Sequence, residues 1–113
     1  MVLNNLAYVE SKLKDPRAVE HARKAHQLAP KHPGIMDTLG LILLEQGDTA
    51  GALDLLRKAS AMAPGAPGIR LNLAKALIKA GQKDAARREL EELSKLGSKF
   101  PGQAEVAELK RTL

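Results

Sequence analysis

The chain has 113 residues, enough for one modest hydrophobic core and too few for two independent domains. It contains no cysteine, which excludes disulfides and thiolate chemistry, and its only aromatic side chains are Tyr8 and Phe100. The net charge of +5 divides into six basic and three acidic side chains over residues 1–32, two and four over 33–66, and ten and six over 67–113. Many of these charges are interleaved, as in Arg87-Arg88-Glu89-Leu90-Glu91-Glu92. That texture fits solvated helix faces better than a nucleic-acid stripe, which needs clustered basic residues.

Val and Ile are scarce beside Ala and Leu, so the elements read as helices. The first is predicted over about 2–13. Asp15-Pro16 then supplies a capping carboxylate and a proline whose missing N–H costs nothing at a helix start, predicting a second helix over about 16–29. Pro30 closes that helix, and Pro33 opens a third over about 34–46. Gly47 is placed to end it in a left-handed residue, with Asp48 capping a fourth helix over about 49–63. Pro64, Pro67 and Gly81 repeat this punctuation around a fifth helix at about 68–80 and a sixth at about 83–96. A final amphipathic helix is predicted over about 103–112. No apolar run approaches the roughly 20 residues of a membrane span.

The punctuation recurs because the sequence recurs. Leu28-Ala-Pro-Lys-His-Pro-Gly-Ile35 returns 34 positions later as Met62-Ala-Pro-Gly-Ala-Pro-Gly-Ile69. Leu39, Leu43, Gly47 and Ala52 return at the same distance as Leu73, Leu77, Gly81 and Ala86. A fixed period of this length marks one helix-turn-helix unit copied along the chain and stacked on its neighbours. Units are expected at about 1–32, 33–66 and 67–100. Small residues stand where helices must approach closely: Ala7, Gly40 and Ala74 in the first helices, and Ala18, Ala52 and Ala86 in the second. Ala7 lies 11 residues before Ala18, whereas Gly40 lies 12 before Ala52, so the first turn is expected to be one residue shorter.

These residues resemble the tetratricopeptide repeat family, whose pattern runs W-x2-L-G-x2-Y, then A-x3-F, A and P. In the middle unit Leu39-Gly40, Leu43, Ala52, Leu56, Ala59 and Pro64 occupy those places, and Met36 departs at the tryptophan. The third unit keeps Leu73-Ala74, Leu77, Gly81, Ala86 and Leu90, then departs at Leu93 and Ser98. The first retains Ala18, Ala25 and Pro30. The resemblance implies an all-α, right-handed α-solenoid of three units in a single domain over 1–113. A capping helix at about 102–113 is expected to cover the stack with Ala104, Val106, Ala107 and Leu109, leaving Glu105, Glu108, Lys110 and Arg111 in water. No comparable cap precedes Val2-Leu3, so the chain is expected to be the C-terminal fragment of a longer protein, with Met1 added.

A further resemblance concerns Leu3-Asn-Asn-Leu-Ala-Tyr8, the Ala18–Pro30 and Leu71–Gly81 stretches and Arg87–Leu93. These are similar to the last repeats of bacterial tetratricopeptide lipoproteins of exopolysaccharide export and exosortase (PEP-CTERM) sorting systems. That likeness implies a bacterial periplasmic or envelope setting; otherwise the expected location is cytoplasmic.

The family lines a concave groove with the first helix of each unit. The resemblance therefore implies a partner site of Asn4, Tyr8 and Lys12 in the first unit, and Asp37, Leu41, Leu44 and Glu45 in the second. The third contributes Leu71, Asn72, Lys75, Ile78 and Lys79. Leu41, Leu44 and Ile78 are expected as apolar anchors, and Lys75 and Lys79, four apart on one face, as a carboxylate clamp. The alternative for each is a contact with the next unit, or plain solvation. The chaperone-binding branch of the family clamps a terminal carboxylate with lysines and asparagines, but here those places hold Thr38 and Gly68, and only Asn72 suits. Catalysis is not expected. His21, His26 and His32 are five and six residues apart, which sets no metal pair on one helix face, and they read as surface histidines. There is no nucleophile elbow or phosphate loop, and no metal or other cofactor is expected. The expected function is a non-enzymatic scaffold that binds a protein or peptide. The alternatives are an RNA-binding repeat, disfavoured by two aromatics, and self-association through the uncapped N-terminal edge.

Overall fold

The computed structural model describes residues 2–113, and helices account for nearly all of them. In chain order they are α1 (Val2–Lys12), α2 (Arg17–Leu28), α3 (Pro33–Glu45), α4 (Thr49–Met62), α5 (Pro67–Lys79), α6 (Lys83–Ser94), a 3-10 turn (Gly97–Lys99) and α7 (Gln103–Arg111). No strand occurs among the described residues. Every helix begins and ends within two residues of its predicted limits, because the stops are local chemistry. Pro33 and Pro67 open α3 and α5, and the Asp48 carboxylate accepts from the Gly51 N–H at 3.0 Å. Asp15 likewise accepts from the Arg17 N–H at 2.9 Å, and the Arg17 guanidinium holds the Asp15 carboxyl down at about 2.

The three turns inside the helix pairs share one construction. The N–H groups of Asp15, Asp48 and Gln82 reach back to the carbonyls of Glu10, Leu43 and Leu77 at 2.7, 2.9 and 2.9 Å. The residue before each donor is left-handed: Lys14 at φ 58°, Gly47 at 90° and Gly81 at 78°. This is the Schellman arrangement, which satisfies helix-end carbonyls. The residue missing from the first unit is therefore not lost from its turn, since Ala7, Gly40 and Ala74 each precede the left-handed residue by the same seven positions. It is lost between Lys14 and Ala18, at the entry to α2.

The pairs α1–α2, α3–α4 and α5–α6 pack internally, and α2 on α3 and α4 on α5 join them into a stack. Ala7, Ala74, Ala18, Ala52 and Ala86 are all buried, as the close crossings require. Gly40 leaves no room for a side chain, because a Cβ there would lie 2.8 Å from Cγ of Leu56. The second helices contribute Ala22, Leu56 and Leu90 at one 34-residue series and Ala25, Ala59 and Leu93 at another, all buried. The core thus grows from alanine to leucine toward the C-terminal end.

Two expectations need correction. At the place held by Leu43 and Leu77, the first unit carries Glu10, 5 % exposed, bonded to His21 Nδ1 at 2.5 Å and 3.6 Å from Arg17 Nε. His21 is thus half-buried and paired with a carboxylate; His26 is half-buried as well, and the exposed His32 caps α3 through Nδ1, which accepts from the Ile35 N–H at 3.3 Å. The last helix is also turned from its expected orientation. Val106 is buried and Leu109 and Leu113 half-buried, while Ala104 and Ala107 are exposed. Pro101-Gly102 repeats Pro33-Gly34 and Pro67-Gly68, so α7 starts where a fourth first helix would. Gln103 then ties its start to the carbonyls of Leu93 and Gly97 at 2.7 and 3.1 Å, and Phe100 is buried with Leu71, Leu90, Leu93 and Val106. Those contacts roll α7 onto the face where α5 borders the groove.

Candidate functional site: the concave groove

First helices alternate with second helices in the stack, so one side of α1, α3 and α5 remains on a common inner face. That face carries three adjoining depressions. One, of about 540 Å³, is bounded by Tyr8, Lys12, Asp37, Leu41, Leu71, Asn72 and Lys75, together with Phe100, Gly102 and Glu105. A second, of about 300 Å³, lies between Leu41, Leu44, Glu45, Lys75, Ile78, Lys79 and Leu109. A third, of about 590 Å³, is polar and edged by Ser11, Lys12, Lys14, Glu45 and Lys79. Eleven of the twelve groove residues expected from the sequence meet here. Asn4 lines none of the three; it is half-buried, with its Oδ1 enclosed.

Burial divides these residues into floor and rim. Leu44 and Leu71 are 4 % and 7 % exposed and pack in the core, so Leu44 is not the open anchor expected. Leu41 and Ile78, both half-buried, are the apolar side chains a partner can still cover. Asn72 Nδ2 donates to Asp37 Oδ1 at 2.9 Å, joining α5 to α3 on the groove floor. Burial raises the Asp37 carboxyl above the ordinary carboxylate range, against the opposing pull of the Asn72 hydrogen bond and the Lys75 charge. Asn72 is therefore already engaged. Thr38, at another place of the chaperone-tail clamp, is buried and donates to the Gly34 carbonyl at 3.1 Å.

The expected lysine pair is also divided. Lys75 Nζ lies 2.8 Å from Glu105 of α7, so an acidic group from the chain itself occupies it. Lys79 remains exposed on the rim of the polar depression, near Lys12 and Lys14. Lys12 Nζ also stands 5.2 Å from the centroid of the Tyr8 ring, a cation–π distance. On the acidic side, Glu45 accepts from Ser11 Oγ at 3.1 Å, linking α1 to α3.

The sequence reading missed the fourth wall. Glu105, Leu109, Phe100 and Gly102 border the groove, although α7 was expected only to close the stack. One signal was present: the third Pro-Gly pair at Pro101-Gly102 marks a further first helix, the kind that lines the concave side. Its rotation had no local signal.

No group of three or more His, Cys, Asp or Glu residues able to hold a metal occurs among the described residues, and no described helix is long and apolar enough to cross a membrane. Two family models, each described as tetratricopeptide repeat, match the chain, one over residues 43–113 and the other over residues 1–65. A comparison with curated proteins finds no match.

Proposed function

This chain belongs to the tetratricopeptide repeat family, and from that membership we propose that it is a non-enzymatic scaffold whose concave groove holds an acidic, apolar segment of a protein partner. Repeats of this family generally mediate protein–protein interaction. The observation that carries the finer reading is the seating of α7 in the groove. There Glu105 meets Lys75 and, four residues on, Leu109 enters the apolar depression beside Leu41, Leu44 and Ile78. A carboxylate followed one turn later by a leucine is thus a pattern this surface accepts from its own chain. A partner lying alongside α7 finds Leu41 and Ile78 for apolar anchors and Lys79 and Lys12 for carboxylates. Burial of the anchors supplies affinity, and the lysines steer the approach.

Selection from a random peptide display library tests this reading. Enriched peptides are expected to combine acidic residues with Leu, Ile or Phe, and a Lys12→Glu, Lys79→Glu chain should bind them at least about tenfold more weakly, since a reversed charge at the rim repels what it attracted. Enriched peptides of basic or purely polar character would sink the proposal.

The likeness to repeats of exopolysaccharide export lipoproteins supports a narrower setting, in which the groove serves an envelope assembly of a polysaccharide-secreting bacterium. Deleting the coding sequence in the host should then lower secreted polysaccharide. Unchanged secretion removes this setting without touching the groove.

A further inference from the structure

Leu28, Met62 and Leu96 stand 34 residues apart, at one position of three successive units, and are 63, 47 and 38 % exposed. Leu28 and Met62 are the last residues of α2 and α4, and Leu96 follows the end of α6. Second helices run in one direction through the stack, so the three side chains stand along the edge where one unit passes to the next. None of them borders the groove. Their exposure does not arise at an end of the array, because Met62 has a helical unit on either side of its own and is exposed all the same. Pro30, Ala61 and Pro64 are exposed beside them.

Charge gathers on the same edge. The segments 24–32, 58–66 and 92–100, each beginning one turn before its apolar residue, hold Lys24, Lys31, Lys58, Lys95 and Lys99 against one acid, Glu92. They supply four of the net +5, while the rest of the chain is nearly neutral, with thirteen basic and twelve acidic side chains. Lys58 and Lys95 meet Asp54 and Glu92 in exposed pairs of little strength. Helix C-termini favour cations, but that accounts for the lysines alone and gives the apolar residues no reason to recur.

The chemistry of the edge selects its occupant. A protein interface gathers apolar residues into a contiguous core poor in lysine, whereas here one apolar side chain per unit alternates with lysines. The depression between Pro64, Pro67, Leu93 and Leu96 holds only about 80 Å³, so the edge protrudes and offers a peptide no cleft. A nucleic acid gains nothing from Leu28 or Met62. A bilayer surface with anionic lipids takes both kinds of group: single apolar side chains reach the acyl boundary, and lysine stems lie along it with their ammonium groups at the phosphates. We propose that this edge docks on an anionic membrane surface, with Leu28, Met62 and Leu96 inserted among the headgroups. Three side chains and a modest charge give a peripheral, reversible attachment that salt weakens, and they leave the groove open to a protein partner.

Co-sedimentation with vesicles tests this. In low salt the chain should bind vesicles rich in phosphatidylglycerol at least about tenfold more tightly than vesicles of pure phosphatidylcholine. A Leu28→Ser, Met62→Ser, Leu96→Ser chain should keep its helical circular dichroism, since all three positions face water, and bind the anionic vesicles at least about tenfold more weakly. Lys31→Gln with Lys99→Gln, on the edge, should weaken binding several-fold more than Lys12→Gln with Lys79→Gln, which removes the same charge from the groove. The chain has no cysteine, so a polarity-sensitive dye can be placed at will. On Met62→Cys its emission should shift to the blue when anionic vesicles are added, and on Gln46→Cys, in the turn at the opposite edge, it should not. Absence of binding to the anionic vesicles in low salt overturns the proposal. So does undiminished binding of the serine chain, or equal loss from the edge and groove lysine pairs, since charge alone would then act. Tighter binding to a single-stranded RNA than to the vesicles, unaffected by the serine substitutions, also overturns it and assigns the edge to nucleic acid.

Discussion

Lys75 of α5 and Glu105 of α7 meet at 2.8 Å across the concave groove, so the last helix is fastened to the groove wall. Both side chains are partly exposed, and an ion pair of this kind contributes about 0–1 kcal/mol. Glu105→Gln should therefore lower the unfolding free energy by less than about 1 kcal/mol while releasing Lys75. Titration calorimetry with an acidic peptide taken from display should show several-fold tighter binding to this variant. Weaker binding would mean that Glu105 itself contacts the partner.

The contact between Gly40 and Leu56 fixes the spacing of α3 and α4. Alanine at position 40 gains about 0.8–1 kcal/mol of helix propensity, but its Cβ would stand 2.8 Å from the branch point of Leu56, an overpacking that costs about 1–3 kcal/mol. Gly40→Ala should thus be destabilising on balance, by about 1 kcal/mol. Leu56→Ala alone should cost about 2–5 kcal/mol. The first unit already pairs Ala7 with Ala22 at these places, so the double variant should cost less than the sum of the single ones in chemical denaturation.

Lys14 holds a left-handed φ of 58° where the other two units have Gly47 and Gly81. That conformation costs a side-chain-bearing residue roughly 1–2 kcal/mol, partly offset because glycine makes the unfolded chain freer. Lys14→Gly should stabilise the fold by about 0.5–1 kcal/mol, and Gly47→Ala should destabilise it by about 1 kcal/mol or more. Urea midpoints measured side by side check both signs.

Asp37 gives a pH dependence of definite sign. Its carboxyl is raised in the folded state by burial, so the folded chain binds the proton more tightly than the unfolded chain does. This group's contribution to stability is therefore greatest below its unfolded pKa and falls as pH rises through the folded one. Asp37→Asn keeps an acceptor for Asn72 and removes the buried charge. Thermal unfolding should show a small gain for the variant at neutral pH that disappears in acid. A gain that persists or grows in acid would contradict this assignment.

The helices, their stops and the three-unit stack were legible in the sequence because each rests on contacts close along the chain or repeated at a fixed interval. Pro33 and Pro67 set a helix start, Gly47 and Gly81 tolerate the left-handed turn, and Ala52 and Ala86 are fully buried at helix crossings. For the groove, the repeat register placed eleven residues around depressions of the inner face but did not separate buried floor from open rim. Glu10 shows where such reading stops. Its register marks a core position, but only the folded chain brings His21 and Arg17 to its carboxylate.

By itself, then, the sequence determined a repeated helical hairpin and which side of each first helix faces inward, since periodicity fixes a residue's angle about its own helix axis. Tertiary structure alone decided the roll of α7, the capture of Lys75 by Glu105 and the division of the groove leucines into buried floor and open rim. Each of these depends on how two helices distant in sequence rotate and settle against one another. That angle follows from the packed volumes of Phe100, Val106, Leu90 and Leu93 together, and no single position encodes it.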